Sequence, residues 1–594
     1  MNEYLLEPLK GYETYFKDTH DSNLKEYFNS LLEKSQVNEE QNRQTAAEYR
    51  KALADAQAVA KKIKKYKALR VLLIVCAVIG GILCLGAILN PFLLIAGIPL
   101  IAVSIILIIK KLKPLIKSAG EEYDKLNARA NELLSEAEAQ MAPLNALFDS
   151  TDTYRVIEKT LPEMKFHSAF TQPAEDNFIE NFGRTDIIDS EMTVTDVVSG
   201  ELYANPFAYT RAVRHVMGTQ PYVGTLVISW TETYRDSKGQ VRTRTRTQTL
   251  TATVVKPKPF YHEETYLGYG SQSAPRLNFS RSAAHNERLS EKELEKKLKR
   301  GERELKKMSE DAIKDGRSFQ EMANSEFEVL FDADNRDNEM EFRLMFTPLA
   351  QKNTVSLLRS HVGYGDDFDF IKRGRFNVIR SEHSQSWCMD TSPQRYMSYD
   401  VDISRESFIS FNNEYFKSVY FDFAPLMAVP AYQEESVHSL SVDAIENYSC
   451  KYSLEEYESL ANMLGQRHFE HPESRTRAIL KASHVSNSNG VNRVQITAYS
   501  YTTVERIDFV PVLGGDGKIH PVPVPWTEYI PVQNCADMAV GYIGASDCDF
   551  HRTAESVQLP SGAYRHGLFA CPVDAQASDG IYRTFESLRQ KNQF

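Results

Sequence analysis

The chain has 594 residues, 42 % of them hydrophobic and 25 % charged, enough for two to four domains with complete cores. Sixty-nine Lys and Arg against 80 Asp and Glu leave a net charge of −11, which argues against a general nucleic-acid binder and confines that chemistry to local basic patches. Seven scattered cysteines do not suit a disulfide framework, and the first apolar run follows a long charged region, so no cleavable signal peptide is expected.

Residues 1–38 open with Pro8 and Gly11 and then space Leu24, Tyr27, Phe28, Leu31 and Leu32 as on one helical face. Mixed charges on the other face favour docking on protein over lying on a membrane surface, where Lys and Arg would dominate.

Residues 39–148 read as an antiparallel helical stalk with a transmembrane hairpin. Val71–Leu89 and Pro91–Ile109 are each 19 residues of nearly unbroken hydrocarbon. As helices they span about 28 Å each, close to the roughly 30 Å hydrocarbon core. Asn90-Pro91 breaks them apart, because proline lacks the donor and disfavours helix at the preceding residue. Lysines stand at both outer ends, Lys61 to Lys67 before and Lys110 to Lys117 after, so the positive-inside rule places both termini in the cytoplasm. No Asp, Glu, Lys, Arg or His lies between Val71 and Ile109, which argues against an ion or proton path through this hairpin alone. Cys76, Gly80 and Cys84 recur every four residues, as do Ala77 and Gly81; such small faces serve packing inside the hairpin or, as the sharper reading, a subunit contact. Flanking the membrane runs, Ala46, Tyr49, Leu53, Ala56, Ala60 and Ile63 on one arm match Ala119, Tyr123, Leu126, Ala130, Leu133 and Ala137 on the other in 3,4 spacing. These heptad seams pair within one chain in the simplest picture and between subunits in the competing one.

After Pro143 the sequence turns to short apolar segments rich in Tyr, Phe, Gly and Pro. The expected class is α+β: the helical stalk and membrane hairpin, then β-rich cytoplasmic lobes with interspersed helices. The expected lobes are residues 149–285 (β-rich), a charged connecting helix over 286–322, an α+β lobe over 323–465 and a β-rich lobe over 466–594. The clearest hairpin pairs Tyr222–Tyr234 with Gln240–Val255 across the turn Asp236–Gly239. On its second strand Thr243, Thr245, Thr247, Thr249, Thr251 and Thr253 share one face and Arg242, Arg244 and Arg246 the other. Three arginines in a row suit phosphate, on lipid or nucleic acid; a solvated face or a charge-guarded edge is the commoner use. Further on, Ser407–Asn412 and Tyr415–Val429 read as strands and Leu454–Leu464 as a helix. Val491–Val512 and His520–Val532 flank the turn Gly514–Gly517, and Pro511, Pro521, Pro523, Pro525 and Pro531 restrict that pair to edges or extended arms.

Asn324-x-x-Phe327-Glu-x-x-Phe331, an Asp-rich turn, then Arg343-Leu-Met-Phe-Thr347-Pro348 and an amphipathic helix resemble a motif of uncharacterised bacterial membrane proteins. The likeness covers about 35 residues, with a later segment similar to Ser407–Asn412. It implies a bacterial source, an inner-membrane anchor and a cytoplasmic domain; it implies no activity. Phe327 and Phe331 read as core anchors around a hairpin.

Chemistry-bearing clusters are sparse. Cys535, Cys548, His551, His566 and Cys571 form the best metal constellation, but only Cys548-x-x-His551 has close ligand spacing, where structural zinc usually shows two close pairs. His468-x-x-His471 runs into Pro472 and lacks the helical i,i+4 spacing of a zinc-protease site. Asp332, Asp334, Asp337, Glu339 and Glu341 crowd one turn without the glycine of a calcium loop. Phosphate-loop, nucleophile-elbow and dinucleotide fingerprints are missing. No cofactor is expected. The leading expectation is a non-enzymatic, self-associating scaffold whose partners are the lipid bilayer, further copies and other proteins. A membrane-tethered enzyme built on the Cys/His group or the acidic turn is the alternative, and an anionic-lipid or nucleic-acid sensor the third reading.

Overall fold

The computed structural model describes residues 3–86, 92–184, 189–235, 237, 239–314, 322–385, 389–434, 451–488, 490–543, 563–573 and 585. These fall into two compact units, residues 24–148 with 392–411, and residues 1–23, 149–391 and 412–594.

The first unit is helical. Its elements are the C-terminal part of α1 (Lys17–Ser35), then α2 (Glu39–Gly86), α3 (Leu93–Leu107) and α4 (Lys113–Asn145), with one π-turn, Ile108–Leu112, joining α3 to α4. The alanine seams meet each other: Ala46 and Ala56 on α2, and Ala119, Ala130, Leu133 and Ala137 on α4, are all buried. The side-chain amide of Gln140 reaches across to Thr45 Oγ1 at 3.1 Å. The stalk is therefore an intrachain coiled pair, and the seams are already filled. Leu24, Phe28, Leu31 and Leu32 are buried as well, with Phe28 packed on Phe148 and Phe408. The docked reading of that helix holds.

The apolar continuations of α2 and α4 are two helices long and apolar enough to cross a membrane. They are not the core of a folded lobe, since Val71 is 60 % and Ile82 63 % exposed. They come close together at Gly80 and Gly97: a Cβ on Gly97 would stand 2.9 Å from the Gly80 carbonyl oxygen and 2.6 Å from Cys84 Sγ. The Gly80/Cys84 face thus packs inside the hairpin, whereas a Cβ on Gly81 would meet open space. The Asn90-Pro91 turn lies outside the described residues.

The second unit carries two antiparallel sheets, flanked by α5 (Asp152–Thr160) and α6 (Gln172–Phe182). In the seven-stranded sheet β1 (Met164–Phe166), β2 (Met192–Leu202), β3 (Asn205–Arg235), β4 (Val241–Gly270), β5 (Asn278–Arg281), β6 (Phe368–Arg373) and β7 (Phe376–Ser381) lie in the order β1-β2-β3-β4-β7-β6-β5. In the five-stranded sheet β8 (Ile479–Ser488), β9 (Val491–Leu513), β10 (Ile519–Tyr542), β11 (Ala563–Arg565) and β12 (Leu568–Val573) run β11-β12-β10-β9-β8. Helices α7 (Glu291–Lys314), α8 (Ser325–Phe331), α9 (Glu339–Met345), α10 (Pro348–Arg359), α11 (Val401–Met427) and α12 (Leu454–Leu464) fill the connections, α11 contributing to both units.

Two corrections concern this region. Ser407–Asn412 and Tyr415–Val429 are not strands; all but the last two residues of that stretch belong to α11. Phe408, Tyr415, Phe416, Val419, Tyr420, Phe423, Ala424, Leu426 and Met427 are all buried; Asp402, Glu406, Ser410 and Glu414 form an exposed stripe on the first half, but from Ser418 on every residue is buried and the one-sided pattern that announces helix from sequence is gone. The Phe327 motif is a pair of helices rather than a hairpin, α8 capped by the Asn324 side chain and α9 by Asn338. Phe327 and Phe331 are core anchors as expected, stacked at 5.1 Å and joined by Phe279, Phe342, Phe346 and Phe370.

α12 ties the two sheets together. Ser453 caps it, and its carboxylates Glu455, Glu456 and Glu458 are all buried. Arg565 of β11 bonds both Glu456 and Asp196 of β2, while Lys481 of β8 reaches Glu458 at 2.8 Å. Buried carboxylates persist only where such cations and N–H donors meet them, and the Val194 amide supplies one more to Glu458 at 3.0 Å.

The dominant feature of this unit is an arm. β3 and β4 pair without interruption from Phe207↔Tyr269 to Arg235↔Val241, and β3 alone has 31 residues, roughly 100 Å at about 3.3 Å per residue. β2 and β7 cover only the base of this ribbon. β9 and β10 form a second long ribbon, paired from Val491↔Gly541 to Leu513↔Ile519. Distally the ribbons stack face to face: Leu226, Ile228, Leu250 and Ala252 meet Val510, Val512, Val522 and Val524. Gly224 is required there, because a Cβ would stand 2.0 Å from the Pro523 carbonyl oxygen. The proline-rich segment is thus an extended arm.

Candidate functional site

Two places in the second unit combine exposure with organised chemistry. One is the outer end of the arm. The Gly514–Gly517 turn of the second ribbon is fastened to the first, Gly515 N–H donating to Gln248 Oε1 at 2.7 Å. Beyond that point the first ribbon continues alone, and its face toward the second ribbon goes on as Arg246, Arg244 and Arg242, opposite Trp230, Glu232 and Tyr234. All three arginines are exposed and the threonines occupy the other face, as the two-residue period requires. Arg246 is held by Glu232 at 2.6 Å.

The second ribbon turns an apolar face outward near its end. Four successive cross-strand pairs carry no polar side chain: Ile507 with Pro525, Phe509 with Pro523, Pro511 with Pro521, and Leu513 with Ile519. Phe509 is 65 % and Leu513 67 % exposed. Facing prolines such as Pro511 and Pro521 cannot donate to each other's strand, so their nitrogens belong at the ribbon's free edges, where they deny a donor to any added strand.

The other place is a cleft at the base of the arm, with a cavity volume of about 510 Å³, within the range of small-molecule sites. His215 and Tyr261, cross-strand partners on β3 and β4, form one wall. Facing them, Tyr501 pairs with Pro531, and Tyr499 lies between Gln533 and Ile479; the two-residue period puts all five on one face of the second sheet. The His215 ring lies 5.6 Å from that of Tyr261 and 5.5 Å from that of Tyr501. Its Nδ1 bonds Glu191 Oε2 at 2.6 Å, and its Nε2, on a side chain 9 % exposed, has no hydrogen-bond partner among the described residues. Burial raises the Tyr261 phenol; burial and then Glu191 raise that of Tyr501. Both hydroxyls therefore stay protonated at neutral pH. Composition gave no signal for this site, because its walls come from strands more than two hundred residues apart; only the alternation Tyr499-Ser-Tyr501 was visible.

The expected metal group is not assembled by what is described. Cys548 and His551 lie outside the described residues. Cys535 is exposed on β10 beside Thr497 Oγ1, while Cys571 is buried on β12 opposite Ala539, four residues along β10 and so about 13 Å away. Thiolates bound to one zinc sit about 2.3 Å from it, so these two do not share an ion. His566 occupies the β11–β12 turn, edge-on to Tyr154. The acidic turn is likewise engaged in structure: Asp337 receives both the Asn278 amide and its side chain, Glu339 pairs with Arg336, and Glu341 with Arg276. Among the described residues no three His, Cys, Asp or Glu side chains gather as a metal site.

One constellation has the look of a proton relay. His383 Nδ1 lies 2.6 Å from Asp367, its Nε2 faces Ser418 O and Asp422, and Tyr209 donates to Asp422 at 2.5 Å. Tyr364 covers the imidazole at 3.7 Å, and the hollow beside it measures about 10 Å³. That is at most the room of one water, which leaves no place for a substrate. No family model, curated protein or solved structure matches the chain.

Proposed function

We propose that the chain is a scaffold anchored in the bacterial inner membrane by its helical hairpin, with both termini cytoplasmic, and that it meets further copies of itself through the arm. The observation that carries this reading is the apolar outer face of the second ribbon: contiguous exposed hydrocarbon of this kind marks an interaction surface. The proline-guarded edges argue that the contact is made by the face and not by strand addition. Self-association was first expected from the heptad seams and the small-residue face of the first span; the seams and the Gly80/Cys84 positions are used inside one chain, a Cβ on Gly81 meets open space, and the arm offers a larger apolar face for the role. Sizing of the protein in lipid nanodiscs or mild detergent tests this. Wild type is expected to run as an oligomer and the Phe509→Asp/Leu513→Asp variant as a monomer with unchanged melting temperature, since both side chains are two-thirds exposed. A monomeric wild type contradicts it.

The anionic-surface reading is kept second, supported by the exposed row Arg242, Arg244 and Arg246 on one face of the first ribbon. Binding to phosphatidylglycerol vesicles that weakens with salt supports it, and salt-insensitive binding or none removes it.

A further inference from the structure

The end of the stalk next to the apolar spans carries charge of one sign only. Ten Lys and Arg stand there, six from Lys61 to Arg70 and four from Lys110 to Lys117, and no Asp or Glu occurs anywhere from residue 56 to residue 120, in a chain whose net charge is −11. The fold brings the two groups to one level. Gly80 meets Gly97 on one side of them and Glu48 meets Arg129 at 4.0 Å on the other, a register that sets Lys64 about level with Lys113 and Lys67 with Lys110. All ten are exposed. Among the described residues only Lys117 meets a carboxylate, that of Glu121 at 3.8 Å. Like charges gathered without counter-charge repel one another and oppose the compact arrangement, so this collar calls for anions from outside the chain.

Position decides which anions. Arg70 directly precedes the exposed hydrocarbon of Val71, and Lys110 directly follows that of Ile109. At about 1.5 Å per residue Lys67 stands about 5 Å beyond Arg70 and Lys61 about 14 Å, so the collar covers a headgroup layer of roughly 5–8 Å and reaches a further Debye length of roughly 8 Å. With the spans in a bilayer, these cations face phosphates. The rule that orients a membrane protein counts Lys and Arg and is nearly indifferent to Asp and Glu, so orientation alone leaves the missing acids unexplained. Attraction to phosphate accounts for them, because a carboxylate at that depth would repel what the lysines draw in. We propose that the collar binds the headgroups of anionic phospholipids in the cytoplasmic leaflet and gathers them round the stalk in preference to zwitterionic lipid. The inference rests on the membrane-anchor reading and not on Arg242, Arg244 and Arg246, which lie in the other unit.

The test uses the full chain purified in mild detergent. Phosphatidylglycerol, cardiolipin and phosphatidylethanolamine with matched chains are titrated in, and the bound lipids are counted by native mass spectrometry at two ionic strengths. Both anionic lipids are expected to bind at least tenfold more tightly than phosphatidylethanolamine, with the preference shrinking as salt rises. A cation near an anionic headgroup layer contributes about fivefold, so Lys65→Gln/Lys67→Gln/Lys111→Gln/Lys113→Gln is expected to lower the preference at least tenfold. Its melting temperature is expected to stay the same, since all four side chains are exposed, and six cations remain to hold the topology. Arginine at the same four positions is expected to keep the preference, as is Arg242→Gln/Arg244→Gln/Arg246→Gln. The proposal is overturned if phosphatidylethanolamine binds as tightly as the anionic lipids, if the preference survives the four glutamines, if the arm variant is the one that loses it, or if a short RNA binds the chain in nanodiscs through the same four lysines. A chain that resists alkaline carbonate extraction from membranes yet shows no lipid preference overturns this inference alone; release by carbonate removes the anchor with it.

Discussion

His20 sits between the Thr160 hydroxyl, 2.9 Å from Nδ1, and the Asn412 carbonyl, 3.2 Å from Nε2, and is 1 % exposed. The neutral ring, protonated at Nε2, donates to the Asn412 carbonyl, and burial pushes its pKa down to about 3. The sign follows directly. Between pH 6.5 and about 3 the unfolded chain binds a proton at this position and the native chain does not, so stability is lost as pH falls through that window. The slope is about 1.4 kcal/mol per pH unit, and urea unfolding at pH 7.5 and 5.5 should show it, with His20→Gln flattening the difference; an unchanged slope in that variant contradicts the assignment. His383 works in the opposite sense. Burial disfavours its charge, but Asp422 and Asp367 outweigh burial and raise its pKa, so its contribution is full below pH 6.5 and fades as pH rises through the raised value. Neither histidine announced itself in the sequence, where each is one polar letter in an ordinary stretch. The arginine row of β4 did, because strand alternation is a local rule; the Glu232 that occupies Arg246 is fourteen residues away and became visible only once the register was known.

At the scale of elements, the arm depends on the close approach of its two ribbons at Gly224 and Pro523. Gly224→Val places a branched side chain where even a Cβ would be 2.0 Å from a backbone oxygen. The ribbons must then separate, at a cost at or above the upper end of the about 1–3 kcal/mol typical of overpacking. Hydrogen exchange is expected to speed up for amides of Val504–Val512 while the base of the same strands, Val491–Ala498, keeps its protection. Equal protection in the variant would show that the stacked ribbons do not need this contact. Both hairpins were legible from their alternation, their glycine turns and their prolines, and the stalk from its alanine spacing, because each is a periodic pattern held by neighbours close in sequence. Strand length was not, since β3 and β4 keep their pairing through Pro221, Pro257 and Pro259, which local reading treats as breaks. α11 was misread for the complementary reason. From Ser418 on the helix is buried on every side and shows no polar face, and its Phe, Tyr and Val content imitates a strand.

For the whole molecule, the proposal on which the rest depends is that the exposed hydrocarbon of Val71–Leu85 and Ile95–Ile109 lies in a bilayer and keeps the β-rich unit on the cytoplasmic side. Length, hydropathy and the flanking lysines were open to inspection from the first, since a membrane span is written in consecutive residues. The cleft was hidden, because it exists only where two sheets meet. Cys535 offers the most direct test, being exposed on β10 far in sequence from the anchor. In a variant retaining Cys535 as its single cysteine, a membrane-impermeant maleimide is expected to leave the protein unlabelled in intact spheroplasts and to label it fully once they are opened. Labelling of Cys535 in the intact spheroplasts would contradict the account.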